Sequence, residues 1–110
     1  MAFLALASQK SLLTLQKNFL QFQLVSIQNQ IQAAGAQMTS IQREYASADS
    51  DEDYTEDADY IYYADLDEQL NTEKDSLDSQ MTAIENEISG LKTLVTNNIK
   101  SSCTLNLLNS

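Results

Sequence analysis

The chain has no histidine, no proline and no tryptophan, with one cysteine and two glycines among its 110 residues. Each absence excludes something. Without histidine there is neither an imidazole general base nor a histidine-containing metal site, and one cysteine cannot build a thiolate zinc cluster. An internal disulfide needs two cysteines, so Cys103 stays free or pairs with another molecule. With neither a basic partner nearby nor an obvious means of lowering its pKa, Cys103 reads as an ordinary small residue. Nothing in this inventory resembles an enzyme's catalytic set, and no cofactor is implied. Turns normally consume proline and glycine, and sheet proteins need many turns. Long helices need few. The abundance of Leu, Gln, Ala, Glu and Ile therefore predicts an all-α chain, and the length suits a single domain over 1–110.

Basic residues are also scarce, and charge is distributed in blocks. Residues 1–43 contain Lys10, Lys17 and Arg43 and no acid, a charge of +3. Residues 44–78 hold fourteen acids against Lys74, or −13, and residues 79–110 balance to zero. A phosphate backbone would be repelled by that centre, which argues against nucleic-acid binding. No run approaches the ~18 apolar residues of a membrane span. The opening Met1–Ala7 lacks the basic start and apolar length of a cleaved signal peptide. Localisation is left open between the cytoplasm and export without such a signal.

What is present is periodicity. Leu20, Leu24, Ile27, Ile31, Ala34, Met38, Ile41 and Tyr45 alternate spacings of 4 and 3. The frame extends back through Leu13 and Leu6, interrupted by Lys10 and Lys17. This is a heptad stripe with Leu24, Ile31, Met38 and Tyr45 at a, and it predicts a first helix over about 8–47. A second stripe has Tyr63, Leu70, Leu77, Ile84 and Leu91 at d, with Tyr60, Met81, Ile88 and Val95 at a. Asp67 and Lys74 interrupt it. It predicts a second helix over about 57–100, followed by a short tail at 101–110. The intervening Ser- and Asp-rich stretch, about 48–56, is the expected turn, with Thr55 as the expected N-cap of the second helix. The result is an antiparallel two-helix hairpin with a coiled-coil-like heptad seam. Facing residue numbers sum to about 105, which sets Leu13 near Leu91. One uninterrupted helix is the competing reading, since no glycine or proline enforces the break.

A second apolar face distinguishes the first helix. Leu12, Leu15, Phe19 and Phe22 fall at c and f, away from the seam, with Val25 beside them. In a lone hairpin they face water. Burying each large side chain is worth about 1.5–3 kcal/mol, so leaving four exposed forfeits about 6–12 kcal/mol, comparable to a small domain's whole stability. The expected cover is a second copy, forming a four-helix bundle. The competing cover is the chain's own ends, through Leu105, Leu107 and Leu108 or through Phe3 and Leu4.

Apolar helical ends, abundant Ser, Thr, Asn and Gln, and few basic residues make the chain similar in composition to subunits of bacterial export filaments. In architecture it is similar to the needle proteins of type III secretion systems, which are short helical hairpins. It departs from them in lacking the proline of their turn, and the similarity assigns no residues. What it implies is assembly or export.

The acidic centre invites a metal reading. Asp49, Asp51, Asp53, Thr55 and Asp57 alternate in the oxygen-rich spacing of a calcium loop. The match fails where such a loop needs glycine, here Tyr54, and where it needs the bidentate glutamate, here Tyr60. The stretch reads as a solvated turn with no metal site assigned. Among its tyrosines, Tyr45, Tyr60 and Tyr63 belong to the seam, and Tyr54 and Tyr62 are the candidates for exposure. The functional expectation is a non-enzymatic structural or interaction module that self-associates through Leu12, Leu15, Phe19, Phe22 and Val25. The alternative is an acidic adaptor or chaperone that holds a partner helix or a basic client. A divalent-cation-binding hairpin comes third.

Overall fold

The computed structural model describes residues 2–49 and 51–108, and the side-chain surroundings of 5–49, 51–97 and 99. The first helix, α1, runs Ala2–Ser47, and the second, α2, runs Ala58–Leu108, with one 3-10 turn at Tyr54–Glu56 between them. No strand occurs among the described residues, and the two helices pack against each other as an all-α hairpin. Both helices exceed the expected lengths. α1 begins at Ala2 rather than near 8, and α2 continues to Leu108 rather than stopping near 100. Nothing in either extension breaks a helix, because neither glycine nor proline occurs there. Residues 101–108 therefore extend α2 and do not double back. The side chains of Phe3, Leu4, Cys103, Leu105, Leu107 and Leu108 lie outside the described set.

One uninterrupted helix is excluded by the geometry after Ser47. The Ala48 amide still donates to the Glu44 carbonyl at 3.0 Å, and Asp49 then donates to Ala46 at 3.4 Å. Asp49 has φ 50°, the left-handed conformation that commonly closes a helix and that glycine usually supplies. Aspartate tolerates it better than most residues. At the other side of the turn the expected cap is corrected. Thr55 lies within the 3-10 turn, whose own cap is Asp53, with Oδ1 accepting from the Thr55 amide at 3.0 Å. The cap of α2 is Asp57, whose Oδ1 accepts from the amides of Asp59 at 2.9 Å and Tyr60 at 3.1 Å.

The chain divides into two compact units, one formed by Phe22–Asp78 and the other by Met1–Gln21 with Ser79–Ser110. In the unit containing the turn, Ala34, Ile41, Leu70 and Leu77 are buried. Leu24, Ile27, Ile31, Met38, Tyr45, Tyr60 and Tyr63 are half-buried around them. These are the seam positions of both stripes. Asp67 and Lys74, which interrupt the second stripe, are half-buried too. Lys74 extends to Asp78, one turn along, at 3.6 Å.

In the unit containing the chain ends, Leu6, Leu13, Leu20, Met81, Ile84, Ile88, Leu91 and Val95 are all half-buried. Leu13 and Leu91 line one groove, and Leu20 and Ile84 line another, which is the expected register. Lys17 keeps its stem on the seam and carries its ammonium to Glu85 on the other helix, 3.6 Å away. Neither glycine marks a close approach within the chain, since a Cβ built on Gly35 or Gly90 would meet nothing within 4 Å.

Candidate interaction surface

A regular helix with its a and d residues turned inward must turn its c and f residues outward. On α1 those outward positions are apolar over one stretch. Leu12, Leu15 and Phe19 are 57%, 65% and 60% exposed in the unit of the chain ends, and Phe22 and Val25 are 73% and 50% exposed in the other. Large aromatic side chains left this open are unusual for a small helical protein, whose exposed apolar atoms are normally scattered.

On α1 itself the exposed neighbours of this stripe are uncharged, while Glu87 of α2, also exposed, lines the groove beside Leu12. Ser11, Thr14, Asn18, Gln21, Ser26 and Asn29 are exposed and polar but neutral. The Thr14 hydroxyl is spent on its own helix, donating to the Lys10 carbonyl at 2.9 Å. Thr39, Thr72, Thr93 and Thr96 do the same toward the carbonyl four residues back. Bonding of this kind satisfies the hydroxyl without a partner and leaves the methyl group outward.

The apolar surface has members that the heptad reading did not include. In the unit of the chain ends, Leu94 of α2 is 52% exposed, and it lines a groove with Leu12, Leu13, Leu91 and Gly90. A second groove there is lined by Leu15, Phe19, Leu20 and Ile84. Leu94 sits at g, next to the seam rather than on an outer c or f position of α2. Ile99, at e, is likewise exposed.

The turn is organised differently. Tyr45 donates its hydroxyl to Oδ2 of Asp57 at 2.8 Å. That bond, followed by burial and the charges of Asp57, Glu52 and Glu44, pushes the Tyr45 phenol up to about 12. The same bond, with the amides of Tyr60 and Asp59, holds the Asp57 carboxyl below its ordinary range. Asp53 is lowered as well, through its hydrogen bonds with Thr55. One oxygen of Asp57 and one of Asp53 thus accept backbone amides, and the other oxygen of Asp57 accepts the Tyr45 hydroxyl. Among the described residues, no three acidic or cysteine side chains converge to hold a metal ion.

Tyr62 is exposed, as its position outside the seam implies, and so is its neighbour Ile61. Tyr54 is half-buried, its ring edge-on to Tyr60 with centroids 5.1 Å apart. Among the described residues, no helix is long and apolar enough to cross a membrane. No family model, no curated protein and no solved structure matches this chain.

Proposed function

We propose that this chain is a non-enzymatic structural subunit that associates with itself through the outer face of α1. The observation that carries the reading is the exposure of Leu12, Leu15, Phe19, Phe22 and Val25 on a stretch without an exposed charge. Full burial of such a side chain is worth about 1.5–3 kcal/mol, so covering the exposed half of each gains about 1 kcal/mol, or on the order of 10 kcal/mol over two copies. Association itself costs about 4–15 kcal/mol in lost freedom. The two are of similar size, which makes the association weak enough to depend on concentration. In this reading the heptad seam is a short coiled coil, and two hairpins together make a four-helix bundle.

The test is absolute mass by light scattering across a concentration series. A multiple of 12.3 kDa is expected for the native chain. Phe19→Lys combined with Phe22→Lys is expected to return it to 12.3 kDa while keeping the helical circular dichroism. A native chain that stays monomeric at every concentration removes the reading, and a double variant that associates normally removes the face.

The adaptor reading draws on a different observation. Ile61 and Tyr62 are exposed within the segment of net charge −13, where a basic client would find both apolar contact and opposite charge. A chain that stays monomeric in scattering but binds basic amphipathic peptides through Tyr62 would favour it.

A further inference from the structure

Of the five tyrosines, Tyr62 is the one the fold leaves open. Tyr45 is bonded to Asp57, Tyr54 lies edge-on to Tyr60, and Tyr63 is half-buried at the seam. Tyr62 is exposed, with Ile61 exposed beside it. Its ring rests edge-on against Tyr63 with centroids 5.2 Å apart, so the seam steadies the ring without covering it. The backbone beneath is fixed too, since the Ile61 amide donates to the carbonyl of the capping Asp57 at 3.0 Å. An aromatic side chain already held in place loses little freedom on binding, which suits it to anchor a partner.

The charge around this anchor specifies the partner. Asp59 and Asp65 are exposed three residues before and three after Tyr62, one helical turn to either side. Glu68, exposed seven residues after Ile61, continues the same side of α2 through Asp65. The unit containing the turn has two cations to set against these acids, Arg43 and Lys74. Lys74 is half-buried at the seam and reaches Asp78, and Arg43 is exposed at an outer position of α1. Among the described residues, no ion pair engages Asp59, Asp65 or Glu68. A wholly apolar partner would strip water from these carboxylates without replacing it, and a second copy of this segment or an anionic surface would be repelled. A cationic side chain meets both needs, lying over the Tyr62 ring and reaching a carboxylate one turn away.

We infer that the outer side of α2 at Ile61, Tyr62, Asp65 and Glu68 docks a basic amphipathic helix of another protein, with Ile61 and Tyr62 as its apolar anchor. This rests on the basic-client reading above rather than on self-association, and it gives that reading a defined surface within one unit of the fold. Charge on the carboxylates selects the partner, and the anchor separates a true partner from any polycation.

The test uses the full chain and a fluorescent synthetic helix of leucine, lysine and arginine with one apolar stripe, followed by anisotropy. The native chain should bind it and should bind oligolysine, which has the charge without the stripe, about tenfold or more weakly. Ile61→Ser combined with Tyr62→Ser should weaken the helix about tenfold or more while circular dichroism stays helical. Asp65→Asn with Glu68→Gln should weaken it and flatten its salt dependence. Asp49→Asn with Asp51→Asn removes equal charge from the turn and should do less. Equal affinity for oligolysine, no loss from the Ile61 and Tyr62 pair, or equal losses from the two acid pairs would each overturn the docking surface while leaving a basic client possible elsewhere. A native chain that binds neither probe would overturn the basic-client reading itself. Neither result bears on self-association, which light scattering of the chain alone decides.

Discussion

The hydroxyl of Tyr45, two residues before the end of α1, donates to the carboxylate that caps α2, Asp57, at 2.8 Å. One side chain therefore ties the last turn of one helix to the first turn of the next. The bond needs a neutral phenol and an ionised carboxyl, so it has a pH window. Asp57 is lowered from an ordinary value of 3.8, and its contribution is present above that value and lost as pH falls through the lowered one. Tyr45 is raised from 10.0 to about 12, and its contribution is present below 10.0 and lost as pH rises toward about 12. Comparing the native chain with Tyr45→Phe cancels the repulsion among the remaining acids. The native chain should be the more stable between these limits, and the gap should close at both. A gap that stays constant across the range in urea titrations would contradict the assignment.

The position of the α2 cap is tested by two alanines. Asp57→Ala removes the acceptor for two amides and for Tyr45, and it should lower the melting temperature clearly. Thr55→Ala keeps the Thr55 amide's bond to Asp53 and loses only the hydroxyl's, on an exposed turn, so its effect should be smaller. Equal losses from the two would mean that Thr55 does cap the helix.

Leu70 is 5% exposed, and Leu70→Ala should destabilise by about 2–4 kcal/mol through lost burial and an incompletely filled space. Leu15→Ala, at a side chain 65% exposed, should barely change the stability of the monomer and should weaken self-association. Denaturant melts at low protein concentration separate the two effects.

Gly35 and Gly90 lie inside helices with open space where a Cβ would go. Each glycine costs its helix backbone entropy with no compensating contact in the chain. Gly35→Ala and Gly90→Ala should each stabilise by about 0.5–1 kcal/mol. A loss at Gly90 seen only in the oligomer would instead place a neighbouring copy against its groove.

Self-association should respond weakly to salt. The outer stripe and its exposed neighbours on α1 carry no charge, so sodium chloride has little to screen on that helix. Sedimentation equilibrium at low and high salt checks this. A dimer that tightens steeply with salt would signal acidic segments held side by side.

The hairpin was legible because the seam is written twice at period seven, and each seam residue whose surroundings are described is buried or half-buried. Even the interruptions at Lys10, Lys17, Asp67 and Lys74 keep to the frame, since a helix turns whether or not the residue it brings inward is apolar. The outer stripe could be found for the same reason. The helix ends were less legible. Between the two stripes many Ser, Thr and Asp side chains can cap, and only the backbone shows that Asp57 rather than Thr55 meets the free amides. The far end of α2 has no breaker, so the fading of the pattern after 100 marked a loss of apolar facing rather than an end of helix. Leu94 escaped because exposure at a g position depends on how the two helices meet, which a single-helix frame does not contain.

The bond from Tyr45 to Asp57 closes a short stretch of chain, whereas the ion pair from Lys17 to Glu85 closes a far longer one. Loop-closure entropy grows with the logarithm of that length, and between these two contacts the difference is about 1.5 kcal/mol. Folding should therefore start at the turn and zip outward toward the chain ends. Tyr45→Phe should act mainly by slowing refolding, and Lys17→Met mainly by changing the unfolding rate. The outer face proposed for self-association would then form among the last parts of the chain, so a half-folded chain would not yet present it.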